Sequence, residues 1–303
     1  MDKKKMLFNI FQVSVVFSNQ QNFLDKTYND DKEGRNAAFR DVINNVVESK
    51  KIKINPRNCE YSLLYVCYIT KDLLCFQLAK KKDVKIYKET EDYIEKRTVD
   101  SYPFVYMFVN LETQKVFVQV KDSFMSENSM LSNIIKIFNH VLRNVNFSMY
   151  LTPIEDIKEF WALTNDSIIK DMEFELVAPN FFNAAGKAKE LAEESKKQLN
   201  AETTTVKFQN KKGNLKATMS FLKDLVEYSS HAGYWSVVVE QDGKRKRIKS
   251  HDVQMKQEIE EYILDLLDKY LIGELKKEQF DNVASYLRNM LKWGCHGKRS
   301  WFK

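Results

Sequence analysis

The stretch that decides the fold is YPFVYMFVNLETQKVFVQVK, residues 102–121. Two apolar runs lie on either side of the polar segment 110–114. Aromatic and β-branched residues around a short polar segment are typical of a β-hairpin. Pro103 fits this interpretation, because proline is tolerated at the start of a strand. The stretch therefore predicts two antiparallel strands with a large apolar surface.

Further strand and helix patterns surround this hairpin in the first half of the chain. Residues 1–17 alternate as a strand, and segments 60–70 and 73–81 predict a β-pair joined at Lys71 and Asp72. Val84 to Tyr87 predicts the start of another strand. Apolar residues at helical spacing predict amphipathic helices at 36–51 and 130–144, and a short strand is predicted at 147–153.

The second half has its own set of elements. We expect a helix at 154–163, a strand that stops at Pro179, a polar helix at 183–201 and a hairpin-like segment at 203–216. A helix closed by Gly233 and a hairpin around Asp242 and Gly243 follow. Apolar spacing then predicts one long helix at 253–271 and a shorter one at 280–293.

These patterns together predict an α+β protein with mostly antiparallel sheets and packed amphipathic helices. The final helices need an apolar partner, and the strand-rich first half is the larger candidate. We therefore expect residues 1–150 and 251–303 to form one globular body, with 151–250 inserted as a smaller domain that carries the basic hairpins.

Composition favours a folded cytoplasmic protein. Of the 303 residues, 44% are hydrophobic, and no stretch has the roughly 18 consecutive apolar residues of a membrane-spanning helix. The lysine-rich start resembles a signal peptide, but the run after it alternates like a strand and has no small-residue cleavage site. The four cysteines and four histidines have no metal-ligand spacing. We expect buried free thiols, no metal and no cofactor.

Positive charge is concentrated in two segments. The net charge is +6, yet residues 207–249 alone contain ten basic and four acidic residues, and residues 288–303 contain five basic residues and no acid. Such asymmetry is expected of a surface that meets a polyanion. The alternative is a well-solvated face without a partner.

The densest cluster lies in EQDGKRKRIKSHD, residues 240–252, where an Asp-Gly turn precedes five cations within six residues. Side chains alternate along a strand, so Arg245, Arg247 and Lys249 face one way and Lys244 and Lys246 the other. A projecting basic ribbon can follow phosphates or enter a groove, although lysines also protect edge strands from pairing. A second basic turn follows Lys207. The predicted nucleic-acid-binding residues are Lys207, Lys211, Lys212, Lys216, Lys244, Arg245, Lys246, Arg247 and Lys249.

Catalytic signals are weak, and we expect no enzyme. The chain has no glycine-rich phosphate loop, no GxSxG and no HExxH motif. Gln119 and Lys121, downstream of Asp100 and Glu112, form a loose version of a metal-dependent nuclease core, which needs oxygen ligands that converge on Mg²⁺. A nuclease that acts on phage nucleic acid stays an alternative. A module that docks an acidic phage protein is another.

A series of segments in the chain resembles known proteins: residues 102–119, 131–142, 147–154 and 174–190, the turn at 212–215, the Asp-Gly hairpin and the closing helix. Together they resemble the RexA-like phage exclusion family and a related bacterial family of unknown function. The resemblance covers about residues 102–270 and follows the order of elements. It implies a homodimeric protein of abortive infection, an anti-phage defence, that binds DNA largely without sequence specificity. We therefore expect nucleic acid as the partner, double-stranded DNA first, with single-stranded DNA and RNA left open. A phage protein or a downstream effector protein is a further possible partner.

Overall fold

The computed structural model describes residues 4–17, 28–29, 31–89, 92–121, 123–141, 146–155, 157–165, 167–177, 186–216, 220–230, 233–241 and 243–292. Within these residues the chain forms fourteen strands and seven α-helices, and every strand pairing is antiparallel. The predicted α+β class is confirmed. No helix in the described part of the chain is both long and apolar enough to cross a membrane.

The first sheet contains eight strands, in the order β14-β1-β8-β7-β4-β3-β2 with β9 also paired to β1. The strands are β1 (Lys5–Phe17), β2 (Lys51–Ile54), β3 (Tyr61–Thr70), β4 (Leu73–Lys80), β7 (Phe104–Asn110), β8 (Lys115–Gln119), β9 (Phe147–Pro153) and β14 (Lys256–Glu260). The predicted hairpin at 102–121 is confirmed as β7 and β8, two interior strands of this sheet.

Helices cover both faces of this sheet. Helices α1 (Lys32–Ser49) and α2 (Glu127–Val141) bury Phe39 and Phe138 on one face. Helices α6 (Glu261–Leu271) and α7 (Lys277–Lys292) bury Leu267 and Leu287 on the other. Strand β1 contributes side chains to both cores, so every residue from Phe8 to Phe17 is buried.

A second, four-stranded sheet has the order β11-β10-β12-β13. Its strands are β10 (Ile168–Val177), β11 (Thr203–Gln209), β12 (Gly233–Gln241) and β13 (Lys244–Lys249). Helices α3 (Ile157–Asn165), α4 (Lys187–Leu199) and α5 (Ser220–Ser229) pack on one face, around the fully buried Trp235 and Phe174. These elements and their separate core lie within residues 151–250, but the division of the chain into two domains stays a prediction.

The remaining strands, β5 (Lys82–Glu89) and β6 (Ile94–Ser101), form a two-stranded sheet of their own. Neither strand contains a buried residue. Strand β6 was not predicted, because its sequence, IEKRTVDS, has too little apolar character to mark a strand.

Three expectations about the second half are wrong. Residues 256–260 form strand β14 along the start of β1, so the helix predicted at 253–271 begins only at Glu261. The segment 203–216 contains one strand instead of a hairpin, because β11 pairs with β10. Gly233 is the first residue of β12 and does not close the preceding helix. A Cβ atom at Gly233 would lie 1.8 Å from the carbonyl oxygen of Glu175, so glycine is required by the close approach of the two strands.

The two connections between the sheets contact each other. Glu155, which follows β9, and Gln254, which precedes β14, form an antiparallel bridge, and the Met255 amide donates to the carbonyl of Ile154 at 2.8 Å. The Glu155 side chain is buried here, and neither carboxylate oxygen has a hydrogen-bond partner of normal geometry among the described residues. Burial raises the pKa of Glu155 to about 8, and the nearby polar groups of Ser250, Trp235 and Ser230 offset this rise only in part.

Candidate nucleic-acid interface

All nine predicted cationic residues lie on the four-stranded sheet or in the loop that follows β11. Lys207 is on β11, Lys211, Lys212 and Lys216 lie in the loop 210–216, and the other five are on β13. Strands β11 and β13 are the two edges of the sheet, so the two groups of cations are on opposite edges. Three strand spacings, about 14 Å in total, separate these edges.

Both basic turns nevertheless lie at the same end of the sheet. Gln209 at the end of β11 pairs with Asp171, and Glu240 near the end of β12 pairs with Ile168. The loop 210–216 and the connection between β12 and β13 therefore both adjoin the start of β10. We call this region the basic end and define it by its exposed cations Lys211, Lys212, Lys216, Lys244, Arg245 and Lys246.

Hydrogen bonds to β10 hold the loop 210–216 in place. The amides of Asn210 and Leu215 donate to the carbonyls of Lys170 and Ile169, both at 2.9 Å. The Asn210 side chain also accepts from the Gly213 amide at 2.8 Å, the pattern of an asparagine-stabilised turn. Lys211 and Lys212 therefore project from a turn with a fixed backbone.

Lys170 connects the two basic turns, and the sequence did not single it out. Its Nζ donates to the carbonyl of Gly213 at 3.0 Å and lies 3.9 Å from Oε2 of Glu240. The same Glu240 oxygen accepts from Nε of Arg245 at 3.1 Å. The register of β10 against β12 shifts between Ile169 and Asp171, which makes Lys170 the bulged residue. A bulge of this kind re-aims a side chain and has no sequence signal here.

Two of the nine cations are already paired with carboxylates. Nζ of Lys207 lies 3.2 Å from Glu173 and 3.4 Å from Asp171, and these contacts, Glu173 first, raise the pKa of Lys207. Arg245 is paired with Glu240. A phosphate would have to compete with these acids, so neither residue offers the free charge that the sequence alone implied.

The other cations keep their charge available. Arg247 donates to the hydroxyl oxygen of Ser236 at 3.0 Å. The five lysines of the basic end have no carboxylate of the described residues within 4.0 Å of their ammonium groups. The same is true of Lys249. The five lysines in this set are Lys211, Lys212, Lys216, Lys244 and Lys246.

An acidic stripe borders the basic end on the face of the sheet that the helices leave uncovered. Asp171, Glu173 and Glu175 alternate with the buried side chains of β10 and so share this face. Asp171 is itself buried, and its Oδ1 has no hydrogen-bond partner among the described residues. A polyanion that lay flat across this face would meet the stripe, so the end of the sheet is the surface that suits it.

The residues weighed for a nuclease do not form a metal site. Gln119 is buried at the end of β8, where its Oε1 accepts from the amide of Tyr106 at 3.1 Å. Glu112 lies in the turn at the opposite end of β8, and Asp100 is paired with Lys81 at 2.9 Å. The described part of the chain contains no group of three or more His, Cys, Asp or Glu side chains placed to hold a metal ion.

Some of the predicted features lie outside the described residues. These are Asp242 of the Asp-Gly turn, Pro179, and the part of the basic segment 288–303 that follows Lys292, with Cys295 and His296.

Comparison with known proteins supports a family assignment. A family model with the description Domain of unknown function (DUF4747) matches residues 66–263, about two thirds of the chain. The match begins within β3, ends within α6 and includes the whole four-stranded sheet with its basic end. A search among curated proteins finds none that matches. The chain therefore belongs to the DUF4747 family.

Proposed function

We propose that this protein binds double-stranded DNA through phosphate contacts made by the basic end, largely without sequence specificity. The observation that carries the proposal is the position of both basic turns at one end of the sheet. Each turn presents lysines that no described carboxylate neutralises, about 14 Å apart across the sheet. Two such points of positive charge can contact the phosphates on both sides of a groove, since the major groove is about 12 Å wide.

The side chains around the basic end favour a duplex over a single strand. Proteins that hold single strands stack the bases on exposed aromatic rings. In the described part of residues 157–253, the exposed large hydrophobic side chains are Ile168 and Leu199, and neither is aromatic. A surface of lysines without such rings supports contact with the backbone of paired strands.

Binding without sequence specificity follows from the kind of cation that is free. Arginine reads guanine through two parallel hydrogen bonds, whereas lysine acts on phosphate as a point charge. Here Arg245 is engaged by Glu240 and Arg247 by Ser236. Within the basic end, the cations without a carboxylate partner are all lysines, which supports a mode of binding governed by charge.

For the biological role we propose bacterial anti-phage defence of the abortive-infection type, on the ground of the RexA-like resemblance. We propose no catalytic activity. In this role the protein acts in the cytoplasm, where phage DNA is present, as a homodimer. In this role a phage protein or an effector protein is a partner in addition to DNA and does not replace it.

The test is the salt dependence of binding to fluorescein-labelled 20-base-pair duplexes of two unrelated sequences, with the single strands and matching RNA in parallel. Each lost phosphate contact reduces the slope of log K against log[salt] by about 0.9. Lys211→Ala/Lys212→Ala should therefore lower the slope by about 2 for both duplexes. The matched control is Lys85→Ala/Lys88→Ala, which removes two exposed lysines from β5 and should bind like the parent.

Two outcomes would overturn the proposal. If the Lys211/Lys212 variant keeps the parent slope, the basic end does not contact phosphate. The second outcome combines two results: the duplex does not bind at low salt, and proteins that this protein retains from phage-infected lysate stay bound to it after nuclease treatment. In that case the lysines bind an acidic protein partner.

A further inference from the structure

A pair of cysteine thiols lies in the eight-stranded sheet, far in sequence from the basic turns. Cys67 on β3 and Cys75 on β4 are directly opposite each other in the register of these antiparallel strands. Residues opposite each other have Cα atoms about 4.5 to 5.5 Å apart and point to the same face. Both cysteines accordingly belong to the core beneath α6 and α7.

This arrangement satisfies the spatial requirement for a disulfide. A disulfide joins cysteines whose Cα atoms are about 4.4 to 6.8 Å apart, a range that contains the spacing of an opposed pair. Both thiols are free, and the Cys75 thiol donates only a long hydrogen bond, 4.0 Å, to the carbonyl of Phe76. Because the two side chains leave opposed positions on the same face of the sheet, their sulfurs are neighbours.

The two thiols differ in access and in acidity. Cys67 retains 9% of its surface, whereas Cys75 is completely buried. The adjacent Cys75 thiol lowers the pKa of Cys67, while burial raises the pKa of Cys75. Thiolate is the reactive form of cysteine, so Cys67 is the sulfur that attacks first. Cys75 is the thiol that then reacts with the oxidised Cys67.

We propose that Cys67 and Cys75 form a redox-active dithiol, a modification site that a peroxide converts into an intrachain disulfide. The Cys67 thiolate attacks one oxygen of hydrogen peroxide, which breaks the O–O bond and gives a sulfenic acid and hydroxide. The Cys75 thiol then attacks the Cys67 sulfur, and the S–O bond breaks with release of water. The Cys75 proton leaves with the sulfenic oxygen as water, and the hydroxide takes up the proton that Cys67 released when it ionised. Two thiols are thus oxidised by two electrons in total, and one peroxide is reduced to two waters.

The position of the pair explains why Cys67 would not be oxidised further. A sulfenic acid that meets a thiol at once is captured as a disulfide, whereas an isolated one proceeds to sulfinic acid. Cys59, the other described cysteine, also has a free thiol, but it lies before β3 and has no cysteine opposite it.

The experiment uses the full chain with Cys59→Ser/Cys295→Ser, which leaves only these two thiols. After treatment with one equivalent of hydrogen peroxide and an alkylating quench, trypsin cleaves behind Arg57, Lys71 and Lys80. We expect peptides 58–71 and 72–80 to be joined, and to separate on reduction. Sulfinic acid on Cys67 without the joined peptides would overturn the proposal.

Single variants in that background test the order of attack. With Cys75→Ser, dimedone should trap a sulfenic acid on Cys67. With Cys67→Ser, Cys75 should stay unmodified under the same conditions, because it is buried. Equal reaction of Cys75 and Cys67 would refute the assigned roles. Oxidation of the two cysteines in denaturant gives the rate of disulfide formation in the unfolded chain. An equal rate in the folded protein would show that the fold does not promote the reaction and would contradict the proposal.

Discussion

Replacing Glu155 by glutamine is expected to stabilise the protein at neutral and alkaline pH and to have little effect in acid. Glu155 is 3% exposed, and burial raises its pKa from the ordinary value of 4.5 to about 8. The polar groups that face it belong to Ser250, Trp235 and Ser230, and no charged group contributes to the shift. Glutamine keeps the shape of the side chain and has no charge to bury.

The size of the effect follows from the two pKa values. Between pH 4.5 and about 8 the folded protein binds more protons than the unfolded chain, so its stability falls as pH rises through this window. Each pH unit within the window lowers the free energy of unfolding by about 1.4 kcal/mol. The free energy of unfolding of the parent should therefore be about 3 kcal/mol lower at pH 7 than in strongly acidic solution because of this carboxyl. The glutamine variant should not show this decrease.

Urea unfolding of parent and variant at pH 5, 6, 7 and 8, followed by tryptophan fluorescence, measures the difference. The advantage of Glu155→Gln should grow by about 3 kcal/mol between pH 5 and pH 8. A suitable control is Glu193→Gln, which replaces an exposed acid on α4 and should not reproduce the growing advantage, because it removes no burial of a charge. A constant difference for Glu155→Gln would show that this carboxyl is ionised throughout and would refute the reasoning.

Three further predictions concern the four-stranded sheet. Gly233→Ala should lower the free energy of unfolding by at least about 2 kcal/mol in urea, because its Cβ would overlap the carbonyl of Glu175; an unchanged midpoint would contradict this close approach. Lys207→Ala should reduce the slope of log K against log[salt] by less than half of the change expected for one phosphate contact, since two acids already pair with this lysine. A reduction of the slope equal to that of Lys211→Ala would refute the pairing. Arg245→Glu/Arg247→Glu should weaken binding to unrelated duplexes by similar factors in an electrophoretic shift, whereas a loss confined to one sequence would indicate base recognition.

The candidate site could be predicted only in part. The cations on β13 are evident from the sequence, because five lysines and arginines within six residues follow an Asp-Gly turn. The acids that neutralise Lys207 on β11 could not be found in this way, because Glu173 and Lys207 are 34 residues apart and meet only when β10 pairs with β11. The role of Lys170 depends on a bulge, which is a property of strand register and not of composition.

The fold could be predicted where periodicity was strong. The hairpin of β7 and β8 and the helix α2 have dense apolar patterns and were predicted within a few residues. For strand β14 the local pattern predicts a helix, and this prediction is wrong. Its residues 256–260 read KQEIE, which suits a helix, but they pair with β1 at the edge of the sheet. Pairing with a strand more than 240 residues away overrides local preference.

The sequence by itself determined the class of elements, the antiparallel character of the sheets and the concentration of positive charge, since each depends on residues that are close in the chain. Only the tertiary structure decided which cations are free, which end of the sheet they share and which thiols face each other. These properties arise from pairing between distant segments, where strand order and register set the neighbours of every side chain.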